Sequence, residues 1–380
     1  MENAEYLGDG PVLFSEESAG RFRVGFITLD NPSSLNALDL RMLYAIEQKL
    51  LEWRARADIA CLVLNAASEK AFCAGGDVKS LVNELEKEDN SAYGREYFAA
   101  EYFVDYFIHV YPKPILCWAD GITMGGGIGI MNGASHRVVT ERTVLAMPEI
   151  AIGFFADVGA TYFFSRLPQR LGLFLGLTGA RFDGFDAVAI QMADAWVRSE
   201  KKKSVFAELL RLDWAGDSRR DREILSRYLA SQADANASPN SSLLKRLQEI
   251  ETFMDKARMD EIDEVLRKWE GKDAWMRSAL QGYFAGSPTS ANAIFEEFKR
   301  GKNLPLKEAF LREWDMAVHF CDRSDFREGV RALLVDKDRR PRWNPPTLAQ
   351  VRDEEIERFF LTPSAEPHLL RHKIDETGIG

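Results

Sequence analysis

Residues 22–30, FRVGFITLD, alternate in polarity and are rich in β-branched and aromatic side chains, and the turn-forming Asn31-Pro32-Ser33-Ser34 closes them. This pattern predicts a strand and a loop. In DLRMLYAIEQKLLEWRAR the apolar positions Leu43, Ile46, Leu50 and Trp53 recur at helical spacing behind Asp39, a natural N-cap, so a helix is expected next. The apolar run ACLVLNAA at 60–67 is too short for a secure helix and is rich in Val and Leu, as a buried strand is. The rhythm then repeats, with helix-forming residues 95–110, the strand-like PILCWAD at 114–120, a Gly-rich segment, and short strands at RVVT and TVLAM.

Strand, helix, strand is the opening of an α/β fold. From about residue 200 strand signals fade, and amphipathic stretches at 242–256, 261–269, 289–300, 306–321 and 350–361 predict a mainly helical second half. A division follows into residues 1–200, the α/β part, and 201–380, the helical part. The polar, Pro-containing SQADANASPNSS at 231–242 suits a loop or hinge. At 380 residues the chain exceeds the roughly 250–300 at which one core stops growing.

Charge narrows the choice of partners. A formal net charge of −10 opposes nonspecific attraction to nucleic acid and to acidic membranes, and no apolar stretch approaches the roughly 20 residues that span a bilayer. Neither nucleic acid nor membrane is expected as a partner. The basic runs Lys201-Lys202-Lys203 and Lys337, Arg339, Arg340, Arg342 read as solvated faces. Cys61, Cys73, Cys117 and Cys321 lack CxxC spacing and the N-terminus lacks the regions of a secretory signal, which points to reduced thiols in the cytoplasm. The five histidines form neither HExxH nor a Cys/His cluster, so no metal site is expected; His136 and His319 read as surface or hydrogen-bonded core residues.

Two Gly-rich loops and two carboxylates stand out. AFCAGGD at 71–77 and GITMGGGIGI at 121–130 each follow a predicted strand and open a predicted helix. Glycines there let the chain turn sharply and bring backbone N–H groups close to a ligand, and N–H groups at a helix start have no partner within the helix. Two such loops can aim one N–H each at a single oxygen, an oxyanion hole. They equally suit tight turns and close helix–strand packing. The start of a dinucleotide fingerprint, Gly127-Ile128-Gly129, fails at Asn132, where a further glycine is required. Glu149 lies in AMPEIAIGFF and Asp157 eight residues on, in FFADVG, both in apolar sequence. Carboxylates so placed tend to hold their protons and to gather at functional sites. A buried ion pair, or for Asp157 a helix N-cap, is the structural alternative.

The segments ITLDNPSSLNAL, AFCAGGDVKSL, KPILCWADGITMGGGIGI and AMPEIAIGFFADVGATYFFSRL, in this order over residues 22 to about 200, resemble the enoyl-CoA hydratase/isomerase (crotonase) superfamily. The resemblance implies a crotonase-like spiral of βα units with an α-helical C-terminal region. It also implies a thioester carbonyl held by the N–H groups of Gly76 and Gly126. Hydratases of that family carry a second catalytic glutamate three residues beyond the second oxyanion glycine. Gly129 occupies that position here and cannot act as an acid or base.

GITMGGGIG, AMPEIAIGFFADVG, LGLTGARFDG, SPTS at 287–290 and DFREGVRALLVDKDRRPRW at 325–343 are most similar to the 3-hydroxyisobutyryl-CoA hydrolase subfamily, which extends the resemblance to nearly the whole chain. It implies an acyl-CoA thioester hydrolase of valine catabolism, acting on a short-chain hydroxyacyl-CoA. Glu149 and Asp157 would then be catalytic and Glu101 substrate-binding, with no cofactor beyond the coenzyme A carried by the substrate. The chain departs from the subfamily at Ala160-Thr161, where a glycine pair is common, and at Ala291-Asn292-Ala293, where a lysine is. An enoyl-CoA hydratase/isomerase using a single glutamate and a noncatalytic acyl-CoA binding protein are the rival readings. A homo-oligomer is an open option. For FREGVRALL, a plain packed helix pairing Glu328 with Arg331 is the simplest account.

Overall fold

The structure, a computed structural model, describes residues 5–8, 10–87, 91–234, 241–363 and 368–378. Packing gathers the chain into two compact units, each built from three separate segments. Unit 1 comprises Met1–Gly76, Val104–Leu145 and Phe182–Leu244; unit 2 comprises Asp77–Phe103, Ala146–Arg181 and Lys245–Gly380.

Unit 1 holds the sheets. Its strands are β1 (Glu5–Tyr6), β2 (Val12–Ala19), β3 (Phe22–Leu29), β4 (Ile59–Ala66), β5 (Ala71–Cys73), β6 (Ile115–Ala119), β7 (Ile122–Met124), β8 (His136–Val139), β9 (Val144–Ala146), β10 (Phe182–Asp183) and β11 (Ala195–Trp196). A seven-stranded sheet runs β1-β2-β3-β4-β6-β8-β11, antiparallel through β3 and parallel beyond it. A four-stranded sheet runs β10-β9-β7-β5. β4 is buried at every position, which accounts for its unbroken apolar sequence, since a parallel strand covered on both faces needs no polar side. β3 is also buried from Val24 on, so its alternation does not mark a wet face. The large sheet packs Val24, Phe26, Val63, Leu116, Trp118 and Val138 against Val205, Leu209, Leu225 and Leu229, which come from helices Lys202–Leu209 and Ser218–Gln232.

The helix expected after Asn31–Ser34 spans Leu40–Ala55, and the Asp39 carboxylate accepts from the Met42 N–H at 2.9 Å. It buries Leu43, Ile46, Leu50 and Trp53. Of the polar stretch 231–242, residues 235–240 lie outside the described residues. Its far end is anchored, with buried Ser241 donating to Asp186 at 2.7 Å.

Unit 2 is helical. It includes Val78–Leu85, Leu171–Thr178, Leu247–Met254, Met259–Arg267, Ala274–Ala285, Pro288–Gly301, Leu306–Cys321 and Ser324–Val330. Among the described residues no strand follows β11, in line with the fading strand signal after residue 200. Its core includes a cluster of rings in which Phe154 lies 5.2 Å from Phe98, 4.9 Å from Phe326 and 5.2 Å from Phe320, centroid to centroid. No described helix is long and apolar enough to cross a membrane.

Candidate active site

In unit 1 the two Gly-rich loops are neighbours because the strands that lead into them are paired. β5 and β7 run parallel, with Ala71 opposite Ile122 and Cys73 opposite Thr123, so both loops leave the same sheet end. A Cβ placed on Gly75 would lie 3.2 Å from the Met124 carbonyl oxygen and 3.6 Å from the Gly126 nitrogen. Gly126 opens the helix Gly126–Gly133 behind Gly125 at φ 49°, ψ −125°, so its N–H belongs to the first turn, where no intrahelical acceptor exists. The first loop is tied down from NPSSLNAL. Leu38 donates its N–H to the Gly75 carbonyl at 2.8 Å, and the buried Asn36 amide donates to the carbonyls of Ala71 and Phe72, both at 3.0 Å. Gly129 is buried within the helix.

In unit 2 the three carboxylates singled out from the sequence come together. Glu149, Asp157 and Glu101 are 7, 4 and 3% exposed. Burial, followed by repulsion from Asp157, holds Glu149 and Glu101 well above the ordinary carboxylate range. Burial pushes Asp157 up to about 7, against the lowering effect of a hydrogen bond from Tyr102. That phenol donates to Asp157 Oδ2 at 2.5 Å. Glu149 Oε2 and Glu101 Oε1 are buried without a hydrogen-bond partner. Asp157 is not a helix cap: the short helix Ala160–Phe163 is preceded by Gly159 as N-cap, with no side-chain cap bond.

Far-separated motifs build the seat of Glu149. Its 3-10 turn, Glu149–Ile152, ends at Gly153 with φ 69°, and a Cβ there would meet the Asp325 carbonyl oxygen at 2.4 Å. A Cβ on Gly329 would meet Ile152 backbone atoms at 2.4 Å. Ser287, from SPTS, donates its N–H to the Ile150 carbonyl at 3.1 Å and its hydroxyl to Asp325 at 2.6 Å. The DFREG and SPTS segments thus support the turn that carries Glu149. Glu328 and Arg331 pair at 2.8 Å as expected of helix neighbours. The basic run 337–342 is largely exposed. His136 is buried between the hydroxyls of Ser135 and Ser226 at 2.9 and 2.8 Å, while His319 lies 2.8 Å from the Leu361 carbonyl.

Two residues of this unit escaped sequence reasoning. Tyr102 stands in an apolar helical stretch and carried no distinguishing signal. Glu313 did carry one: Ala309, Phe310, Met316, Ala317 and Phe320 form a buried helical stripe and Glu313 falls on it. Its Oε2 accepts from the Gly159 N–H at 2.6 Å and its Oε1 from the Thr161 N–H at 2.8 Å.

Buried acids of this kind make stability depend on pH. The fold holds the Asp157 proton up to about 7, against 3.8 for the free group, so the folded state binds more protons than the unfolded one between these values. The associated stabilisation is complete below about pH 4 and is lost as pH rises to about 7. Glu297 and Glu313, raised by burial to about 7 and about 8, act in the same direction. A thermal melting series from pH 5 to 8 is expected to show Tm falling by roughly 5–10 °C, on the scale of about 2–4 °C per kcal/mol. A Tm that rises over this range would contradict the burial of these protons.

The chain belongs to the enoyl-CoA hydratase/isomerase family, whose profile matches residues 24–360. More particularly, it is 37% identical over 349 residues to the protein named 3-hydroxyisobutyryl-CoA hydrolase, mitochondrial, of Danio rerio, covering 92% of this chain and 89% of that one. It is 33% identical over 370 residues to 3-hydroxyisobutyryl-CoA hydrolase 1 of Arabidopsis thaliana, covering 96% and 95%. Among solved structures, a carnitinyl-CoA dehydratase from Mycobacterium thermoresistibile aligns with TM-score 0.83 and 30% identity over 94% of this chain and 98% of that one. An enoyl-CoA hydratase from Rhodobacter sphaeroides aligns with TM-score 0.79 and 31% identity over 91% and 96%. This chain has the α/β crotonase-type fold of these two solved structures, with a helical C-terminal region.

Proposed function

We propose that this chain hydrolyses an acyl-CoA thioester, with 3-hydroxyisobutyryl-CoA as substrate and a place in valine breakdown. The observation that carries the reading is the buried group of Glu149, Asp157 and Glu101 in a chain with Gly129, not an acid, at the hydratase's second position. The names of the curated relatives agree with it.

In the proposed reaction the N–H groups of Gly76 and Gly126 hold the thioester carbonyl oxygen and stabilise the charge that develops on it; one such donor is typically worth about 10²–10³ in rate. Glu149 attacks the carbonyl carbon to give an acyl-enzyme anhydride that water then opens, or takes a proton from the water that attacks directly. By either route a C–O bond forms and the C–S bond breaks. Coenzyme A leaves as thiolate and takes up a proton, and the carboxylic acid is released. Asp157 places the water or the acyl group. Glu101 receives the acyl hydroxyl, which meets a partnerless buried oxygen and gives the discrimination that buried polar pairing provides. Water is the co-substrate, and the proposal involves no cofactor beyond the coenzyme A of the substrate.

The names of the two solved relatives favour a second reading, hydration of an enoyl-CoA with Glu149 as a single base. A free-thiol assay over 3-hydroxyisobutyryl-, 3-hydroxypropionyl- and crotonyl-CoA separates the two. Thiol release from the hydroxyacyl thioesters is expected, greatest with the hydroxyisobutyryl group. Hydration of crotonyl-CoA with no thiol release from any of them would sink the hydrolase. The proposed compartment is the cytoplasm, where the four buried thiols stay reduced; the word mitochondrial in the animal relatives' names is the alternative, and cell fractionation decides.

A further inference from the structure

We propose that Glu313 is a positioning residue for Asp157: by taking the N–H groups of both Gly159 and Thr161 on one carboxylate, it fixes the turn that sets where the Asp157 side chain stands. This rests on the role given to Asp157 above. The turn needs such a hold. Val158 and Gly159 follow Asp157 at φ 54° and 90°, and a β-branched residue in the left-handed region persists only where its surroundings enforce it. Locally the turn is closed by a bond from the Ala160 N–H to the Asp157 carbonyl at 2.9 Å. The helix that follows, Ala160–Phe163, has no side-chain cap of its own, which leaves early N–H groups to be met from elsewhere.

Glu313 meets them from a helix more than 150 positions away in sequence, Leu306–Cys321, with bonds of 2.6 and 2.8 Å on its two oxygens. Its side chain is wholly buried, so water does not compete for those donors. One turn earlier on the same helix, Phe310 packs on the turn: a Cβ on Gly159 would come within 2.8 Å of its ring. Tyr102 holds the Asp157 carboxyl itself. Backbone and side chain of the catalytic candidate are therefore held separately.

Glu297 supplies the contrast. It is equally buried, but it accepts the Thr161 hydroxyl at 2.9 Å, a side chain and not the backbone of the turn. Glutamine at 297 can still accept that hydroxyl. Glutamine at 313 would point its NH₂ at one of two N–H donors, and that bond would be lost.

The test measures kcat and KM for thiol release from 3-hydroxyisobutyryl-CoA by the full chain. Glu313→Gln is expected to lower kcat by about 10- to 100-fold, the scale on which small misplacements act, with KM within about threefold. Glu297→Gln is expected to keep both within about threefold. In an Asp157→Asn background, Glu313→Gln is expected to add less than about threefold, since residues acting through one another are not additive. If Glu313→Gln shows no cooperative unfolding transition, Glu313→Asp, which keeps two carboxyl oxygens and draws them back by one methylene, carries the same comparison. A kcat within about twofold of wild type, an equal loss in Glu297→Gln, or the full loss repeated on Asp157→Asn overturns the assignment. A wild-type chain that releases no thiol at all overturns the proposed reaction first, and the assignment with it.

Discussion

Glu149→Gln is expected to abolish thiol release, lowering kcat on the order of 10⁴–10⁶-fold, as removal of a nucleophile or its base does. Glutamine matches glutamate in shape, and it cannot form an anhydride that water reopens, nor take a proton from water at neutral pH. The fold should persist. Glu149 is buried and holds its proton well above the usual range, so the position already tolerates an uncharged group, and the neutral amide removes a group whose ionisation works against folding as pH rises. The melting temperature is therefore expected to equal or exceed that of the wild type at pH 8. Kinetics and thermal melting on the same preparation check both halves. An unchanged rate would exclude Glu149 from the chemistry.

Gly127→Ala is expected to act on the other half of the proposed machinery. An alanine Cβ would stand 2.2 Å from the Cys73 carbonyl oxygen and 2.9 Å from its carbon, both backbone atoms of β5 that cannot swing aside. The first turn of Gly126–Gly133 must then lift off the strand, and the Gly126 N–H moves with it. A fall in kcat of about 10²–10³-fold is expected, the scale of one lost oxyanion donor, together with a lower Tm. Gly176→Ala is the comparison: in helix Leu171–Thr178 its Cβ would meet neighbours at 3.5 and 3.6 Å, ordinary contact. Replacing a helical glycine by alanine gains up to about 1 kcal/mol, so that variant is expected to melt no lower than wild type. A Gly127→Ala enzyme with the wild-type rate would remove Gly126 from the proposed site.

Strands β3, β4 and β6 and the helix Leu40–Ala55 were legible because their signal is local: a short apolar run between turn residues, or a 3.6-residue stripe behind an acidic cap. β2 gave no such signal. Its centre, Ser15-Glu16-Glu17-Ser18, is an unbroken polar run. It is a strand because β3 pairs with it antiparallel along all eight residues, and Glu16 finds Arg56 and Trp53. The Ala160-Thr161 departure from the subfamily is likewise answered only in three dimensions, where Thr161 donates to Glu313 and Glu297 and fills the space left by Gly301.

The candidate chemistry divides the same way. Residue identity and sequence context singled out the two Gly-rich loops, Glu149 and Asp157, because glycine's freedom and an acid's proton are properties of the residue itself, while Glu101 and the missing acid at Gly129 stood out only through the resemblance to the family. Tertiary structure decided what surrounds them. Pairing of β5 with β7 brings Gly75 beside Gly126; burial raises the three carboxyls, with repulsion from Asp157 added at Glu149 and Glu101; Asp325, Gly329 and Ser287 seat the Glu149 turn; Tyr102 holds the Asp157 carboxyl, and Glu313 takes the N–H groups of Gly159 and Thr161 just after it. Each of these depends on distance between residues remote in sequence. Desolvation and hydrogen-bond geometry follow from that distance, and no local pattern encodes it.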